Sequence, residues 1–161
     1  MPRSDERFEA AARDLGLALE VRRFPEGTRT AEDAARAIGC HVGQIVKSLV
    51  FVADGTPFLA LTSGSNRADP ARLAGLLGAS EVRRATAEEA RAATGFAIGG
   101  TPPFGHPAPL QVLVDRDLLG HAVVWAAGGR PDTVFPIGPA DLVRAAKGTV
   151  EAFANAPGVK P

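Results

Sequence analysis

Lys47 stands inside an apolar run, Ile45-Val46-Lys47-Ser48-Leu49-Val50-Phe51-Val52. A buried ammonium without a partner is costly, so this lysine must find an acceptor, reach water or meet a ligand. Strict strand alternation gives a plainer account, a solvent-facing lysine, but Ser48 would then face inward. A second segment, Gly99-Gly100-Thr101-Pro102-Pro103-Phe104-Gly105, mixes flexible and rigid residues. Glycines let a ligand approach the backbone, and prolines fix the course of the chain. Free amide N–H groups at such a turn could stabilise a developing oxyanion. The segment has neither a P-loop lysine nor a Rossmann helix pattern, and an ordinary structural loop is the plainer account.

Other polar clusters are less specific. Thr62-Ser63-Gly64-Ser65-Asn66-Arg67 follows a strand pattern and precedes a helix, so it could line a pocket at the strand end. Serine and asparagine are also ordinary turn formers. Gly128-Gly129-Arg130, just after Trp125, could form another pocket wall, although the lone tryptophan reads first as core. Cys40 and His41 are adjacent, which seldom gives the geometry of a Cys–His nucleophile pair. No G-x-S-x-G elbow occurs. His41, His106 and His121 are far apart, so neither a zinc site nor another metal site is expected.

The elements that must position these residues follow from periodicity and punctuation. Apolar spacing over residues 4–16 predicts an amphipathic helix ended by Gly16. Leu19 to Phe24 reads as a strand and Pro25-Glu26-Gly27 as a turn. Thr30 reads as an N-cap with Glu32 and Asp33 in the first turn, and Gly39 closes that helix. Ile45 to Val52 and Pro57 to Thr62 form a hairpin across Asp54-Gly55. Asp69-Pro70 opens a helix to Leu77, Glu81 to Arg84 is a strand, and Thr86 to Glu89 is a capping box for a helix to about Ala93. Residues 95–109 show no periodicity. Strands follow at Gln111–Val114, Val123–Ala126 and Thr133–Pro136, then a helix from Pro139 to Ala146 and a loosely held tail from Lys147. The expected class is α/β (mixed α+β): a mixed, barrel-like sheet surrounded by helices, in a single domain over 1–161.

Bulk properties exclude several classes. The chain has 161 residues, 45% apolar, with 18 basic and 18 acidic side chains. A neutral balance gives no support to extended duplex binding, though it leaves room for a small local patch. No apolar run reaches the length of a membrane span, about 18 residues. The charged, amphipathic N-terminus does not read as a secretory signal, so the cytoplasm is the expected residence.

Taken together, five segments resemble the YbaK/EbsC family, which includes the editing domain inserted in bacterial prolyl-tRNA synthetases. They are TAEDAARAIGC (Thr30–Cys40), QIVKSLVF (Gln44–Phe51), LTSGSNRAD (Leu61–Asp69), TGFAIGGTPPFGH (Thr94–His106) and WAAGGRPD (Trp125–Asp132). The likeness runs from about residue 17 to 150. A strand lysine followed some fifty residues later by TGF-x-x-GG-x-x-P-x-G is its specific part.

The resemblance implies a deacylase that removes wrong amino acids from tRNA, chiefly tRNA for proline, with no cofactor. It makes Lys47 the active-site lysine and Gly99 to Pro103 the G-x-x-x-P loop. Gly99 and Gly100 are expected to act on the ester carbonyl. Thr30, Ile45, Leu61, Ser63, Asn66, Thr101, Pro102, Pro103, Phe104, His106, Gly128 and Gly129 are expected to surround the substrate. The implied partners are the 3′ aminoacyl end of mischarged tRNA and a synthetase such as that for proline. Ala127 stands where the cysteine-removing branch has serine, and Val134 where it has an acid. Ser48 stands where an alanine-specific branch has asparagine. These departures point to alanine, serine or threonine esters ahead of cysteine. A non-catalytic module that binds tRNA or a synthetase, and a small-molecule hydrolase using the same pocket, are the competing readings.

Overall fold

The computed structural model describes residues 3–25 and 30–155. Its centre is a hairpin of β2 (Val46–Ala53) and β3 (Thr56–Ser63), paired without interruption from Val46↔Ser63 to Ala53↔Thr56. Asp54 and Gly55 both take positive φ, the conformation that the Asp-Gly pair predicts for a two-residue hairpin turn. The Asp54 carboxylate also accepts from the Ser80 and Glu81 amides, which ties β5 (Val82–Arg84) to the turn.

Strand β5 pairs antiparallel with β2 over Phe51–Ala53 only. On the other side of β3 come β6 (Val112–Asp115) and β9 (Thr149–Glu151), both parallel, giving the order β5-β2-β3-β6-β9. A second sheet runs β1 (Arg22–Arg23), β8 (Thr133–Ile137), β7 (Val124–Ala127). A parallel bridge between Ile45 and Trp125 joins the two sheets. Strands β4 (Arg67–Ala68) and β10 (Ala154–Asn155) form a short third pair. The class is therefore mixed α/β, as expected.

Helices cover the sheets where their caps dictate. Helix α2 (Ala31–Ile38) starts at Thr30, whose hydroxyl accepts the Asp33 amide, and ends at left-handed Gly39. Helix α3 (Pro70–Leu77) is capped by Asp69 and α4 (Ala87–Thr94) by the Thr86–Glu89 box. Helix α1 (Ser4–Asp14) inserts Phe8 between Phe104 and Phe135, with ring centroids 5.2 and 4.9 Å away. Helix α5 (Pro139–Ala146) buries Leu142. No helix among the described residues is long and apolar enough to cross a membrane.

Both faces of β2 are covered, which explains why its sequence alternates poorly. Val46 and Val50 join a large cluster with Phe8, Leu59, Leu61 and Phe135. Phe51, with Leu49 beside it, packs with Phe58, Leu73 and Phe153 on the other face. Fully burying a side chain of this size stabilises by roughly 1.5–3 kcal/mol. Lys47 therefore sits on the Phe51 face and Ser48 on the face of the larger cluster.

Two expectations need correction. The strand foreseen at Leu19–Phe24 pairs only at Arg22–Arg23, while Leu17, Leu19 and Val21 pack against the core outside any ladder. The tail foreseen as loose from Lys147 is docked: β9 pairs with β6, β10 pairs with β4, and Phe153 is fully buried. Two three-residue-or-shorter strands and one phenylalanine carry too little periodicity to be read in advance. Glu26 and Gly27 of the foreseen turn lie outside the described residues.

Candidate active site

The ladder pairing opens a gap along one edge of β2. Its β3 edge is paired throughout, but its other edge meets β7 at Ile45 and β5 only from Phe51. Between those points lies a pocket of about 380 Å³. Val46 to Val50 form one wall, and the start of α2 (Thr30, Ala31, Glu32, Ala34) another. Trp125, Ala126, Ala127 and Val134 supply an apolar wall from the second sheet. Ile98, Gly99 and Thr101 bring in the Gly/Pro loop.

Lys47 lines this pocket and donates from Nζ to the Asn66 carbonyl at 2.6 Å. Burial holds its ammonium below the ordinary lysine range. Glu32 and Asp115 pull the other way, while the like charges of Arg84 and Arg67 reinforce the burial. Glu32 and Arg84 also line the pocket, so three charged groups of both signs meet there. Ser48 lines it too, and its Oγ is buried with no hydrogen-bond partner among the described residues.

The Gly/Pro loop is held by interlocking contacts rather than by a ladder. Gly99 has φ +90°, a conformation costly for any other residue. Gly100 is needed for a different reason: a Cβ there would lie 2.8 Å from the Arg130 backbone. The Gly100 amide donates to the Ala97 carbonyl at 3.0 Å and is already committed. The Gly99 amide has no such partner among the described residues. Thr101 donates its hydroxyl to Ala97 O at 3.2 Å. Phe104 is buried in the Phe8–Phe135 cluster and anchors the loop's far end. His106 Nε2 lies 2.8 Å from the Pro102 carbonyl, which only accepts, so this nitrogen carries the hydrogen. Burial holds the His106 pKa below its usual value.

Of the expected site residues, the catalytic Lys47 and Gly99 and the substrate-facing Thr30, Ile45 and Thr101 line the pocket. Leu61, Ser63 and Phe104 are buried and do not line it. Ser63 Oγ donates to the Gly43 carbonyl at 2.8 Å, and Asn66 turns its amide to Asp115 and Asp117. Gly100, Pro102, Pro103 and His106 shape the loop without lining the cavity. Gly128 and Gly129 pack elsewhere: a Cβ on Gly129 would lie 2.7 Å from Ser4 O, and one on Gly128 3.1 Å from Val21.

Glu32, Ser48 and Arg84 were not foreseen as pocket residues. Glu32 was accounted for by the helix dipole and Arg84 by a strand end. The inward phase of Ser48 was the one advance signal. Ala127 and Val134, singled out by comparison with the cysteine-removing branch, both line the apolar wall.

Known proteins resemble this chain in sequence and in fold. The sequence pattern of the aminoacyl-tRNA editing domain matches residues 25–145. A proline--tRNA ligase of Nitratidesulfovibrio vulgaris is 35% identical over 107 residues, 66% of this chain and 19% of the ligase. One of Acidithiobacillus ferrooxidans is 32% identical over 122 residues, 76% of this chain and 21% of the ligase. The chain thus spans about a fifth of the length of these curated relatives. A solved structure of a candidate trans-editing enzyme for prolyl-tRNA synthetase superposes with a TM-score of 0.90 at 44% identity, covering 97% of this chain and 99% of that one. A protein described only as hypothetical gives a TM-score of 0.86 at 30% identity, covering 93% and 100%.

Proposed function

This chain belongs to the aminoacyl-tRNA editing domain family, of the YbaK type, and from that premise we propose that it is a trans-editing deacylase for mischarged tRNA. It hydrolyses the ester between the amino acid and the terminal ribose, as a carboxylic ester hydrolase. Its substrates are tRNA(Pro) or related tRNAs carrying alanine, serine or threonine, with cysteine disfavoured. It works in the cytoplasm, on the 3′ aminoacyl end, alongside prolyl-tRNA synthetase or another synthetase.

One observation carries the reading: a single pocket, with an apolar wall, is lined by both Lys47 and Gly99. Its volume lies near the lower end of small-molecule sites, about 300–1,000 Å³, which suits an aminoacyl group. An aminoacyl ester is activated, so the site needs no strong protein nucleophile. Water, positioned by the free hydroxyl of the terminal ribose, attacks the carbonyl carbon. The C–O bond to the ribose then breaks, releasing the amino acid and free tRNA. The oxyanion formed on the way needs a donor, and the uncommitted Gly99 amide supplies it. The Gly100 amide, bonded to Ala97, serves the loop's shape. Lys47 holds the phosphate of the terminal nucleotide, or the substrate backbone, as a point charge.

The apolar wall sorts side chains by size. Ala127 and Val134 offer neither the hydroxyl nor the acid of the cysteine-removing branch, which supports the smaller and β-hydroxy substrates. Each methylene is worth only about 1–3 kcal/mol in such a pocket, so discrimination between these esters is modest.

The test is hydrolysis of Ala-, Ser-, Thr-, Cys- and Pro-tRNA(Pro) by the purified protein. Loss of one or two of the first three, with Pro-tRNA(Pro) spared, is expected. Tight tRNA binding with every ester intact would replace the enzyme by a binding module.

A further inference from the structure

Lys47 can act only if its ammonium is held where the substrate needs it, and its one hydrogen-bond acceptor among the described residues is a main-chain carbonyl. That carbonyl belongs to Asn66, in the turn after β3. A turn carbonyl has no ladder to fix it, so something else must. The Asn66 side-chain amide nitrogen donates to Asp115 Oδ2 at 2.9 Å and to Asp117 Oδ2 at 2.7 Å, which uses both of its hydrogens. Asp115 Oδ2 also accepts the Ser63 amide at 3.0 Å, and Asp115 Oδ1 accepts the Asp117 amide at 3.0 Å. One carboxylate thereby joins the end of β6, the end of β3 and the turn between β3 and β4. Asp115 is 2% exposed and Asn66 7% exposed. A carboxylate this deeply buried is costly unless several donors satisfy it, as three do here.

We propose that Asp115 is a positioning residue for Lys47, acting through Asn66. The chain of contacts runs from Asp115 to the Asn66 amide, through the Asn66 backbone, to the Lys47 ammonium. It has two effects. The first is geometric: the pinned carbonyl fixes Nζ at one point on the pocket wall. The second is electrostatic: the negative charge of Asp115 raises the Lys47 pKa and so counters part of the burial that lowers it. Asp117 reinforces the amide from the other side. Asn66 thus serves the site without lining the pocket. The inference rests on the deacylase reading for its kinetic consequence, but not for its effect on the lysine itself.

The test is a thermodynamic cycle with a spectroscopic control. Asp115→Asn and Asn66→Ala are each made in the wild-type and in the Lys47→Ala background, and melting confirms that all are folded. Each is expected to lower kcat/KM for the edited ester by about tenfold in the wild-type background and by under about twofold after Lys47→Ala. A merely structural role would give the same loss in both backgrounds, and that result would overturn the proposal. Independently of any ester, the Lys47 side chain is titrated by NMR, its signal identified by its disappearance in Lys47→Ala. Asp115→Asn is expected to move the midpoint downward, and an unmoved midpoint overturns the electrostatic part. Should Asp115→Asn fail to fold, Asn66→Ala carries the cycle, because it leaves the main-chain carbonyl in place and removes only its anchor. Absence of hydrolysis by wild-type protein would sink the deacylase reading while leaving the titration to decide this one.

Discussion

The two walls that meet in the pocket are built in opposite ways. Lys47 stands on β2, whose position is set by eight consecutive cross-strand pairs with β3. Gly99 stands in a stretch without regular structure, set by a left-handed glycine, a close approach to Arg130, and the Phe104 anchor. A ladder distributes its energy over many similar bonds, so one side chain can be replaced without moving the rest. A loop locked by a few specific contacts has no such reserve. Substitutions on the β2 wall should therefore remove chemistry and spare the fold, and substitutions in the loop should move the backbone.

The largest expected effect tests the loop side. Phe104→Ala removes a buried ring packed against both Phe8 and Phe135 and is expected to destabilise by about 3–5 kcal/mol, read by urea or thermal unfolding. A loss below about 1 kcal/mol would mean that the loop does not depend on that anchor. Gly100→Ala comes next. Its Cβ would meet backbone rather than a flexible side chain, so a cost of about 1–3 kcal/mol and a displaced loop are expected. Unchanged stability and unchanged ester hydrolysis would contradict the close packing of the two loops.

Smaller effects come from titration. The His106 pKa is held below its usual value of about 6.5 by burial, so the folded state resists protonation more than the unfolded chain does. As pH falls below about 6.5, the unfolded state gains a proton first, and stability declines by at most about 1.4 kcal/mol per pH unit until His106 itself protonates. Comparing unfolding at pH 7.5 with pH 5.5 should show this slope, flattened in His106→Gln. The smallest effect belongs to the exposed Arg83–Glu89 pair, which holds the Glu89 pKa down to about 2. Its contribution is present above the ordinary glutamate pKa and fades as pH falls toward about 2. Salt should weaken it, and Glu89→Gln should remove it with little change in midpoint at neutral pH.

The same contrast decides what could be read from sequence. Local chemistry was legible: Asp54-Gly55 made its turn, Thr86-x-x-Glu89 its capping box, and Asp69-Pro70 its helix start. Lys47 stood out because an ammonium inside an apolar run needs a partner. The site's outline was not legible, because the pocket exists only where β2 runs unpaired between β7 and β5. That gap depends on Trp125 meeting Ile45, eighty positions away in the chain. Sequence neighbours of the motif were consequently overcounted. Leu61 and Phe104 adjoin conspicuous residues but are core, while Glu32 and Arg84 reach the pocket from elements chosen for other reasons.

The most direct measurement of the central claim is hydrolysis of the edited aminoacyl-tRNA(Pro) by wild-type and Lys47→Ala protein side by side, with unfolding curves for both. The β2 ladder predicts matching unfolding curves and a loss of at least about a hundredfold in kcat/KM, the scale of one lost electrostatic contact in an active site. A folded Lys47→Ala protein with full activity would contradict the account, because the pocket would then work without the residue that its wall is built to present.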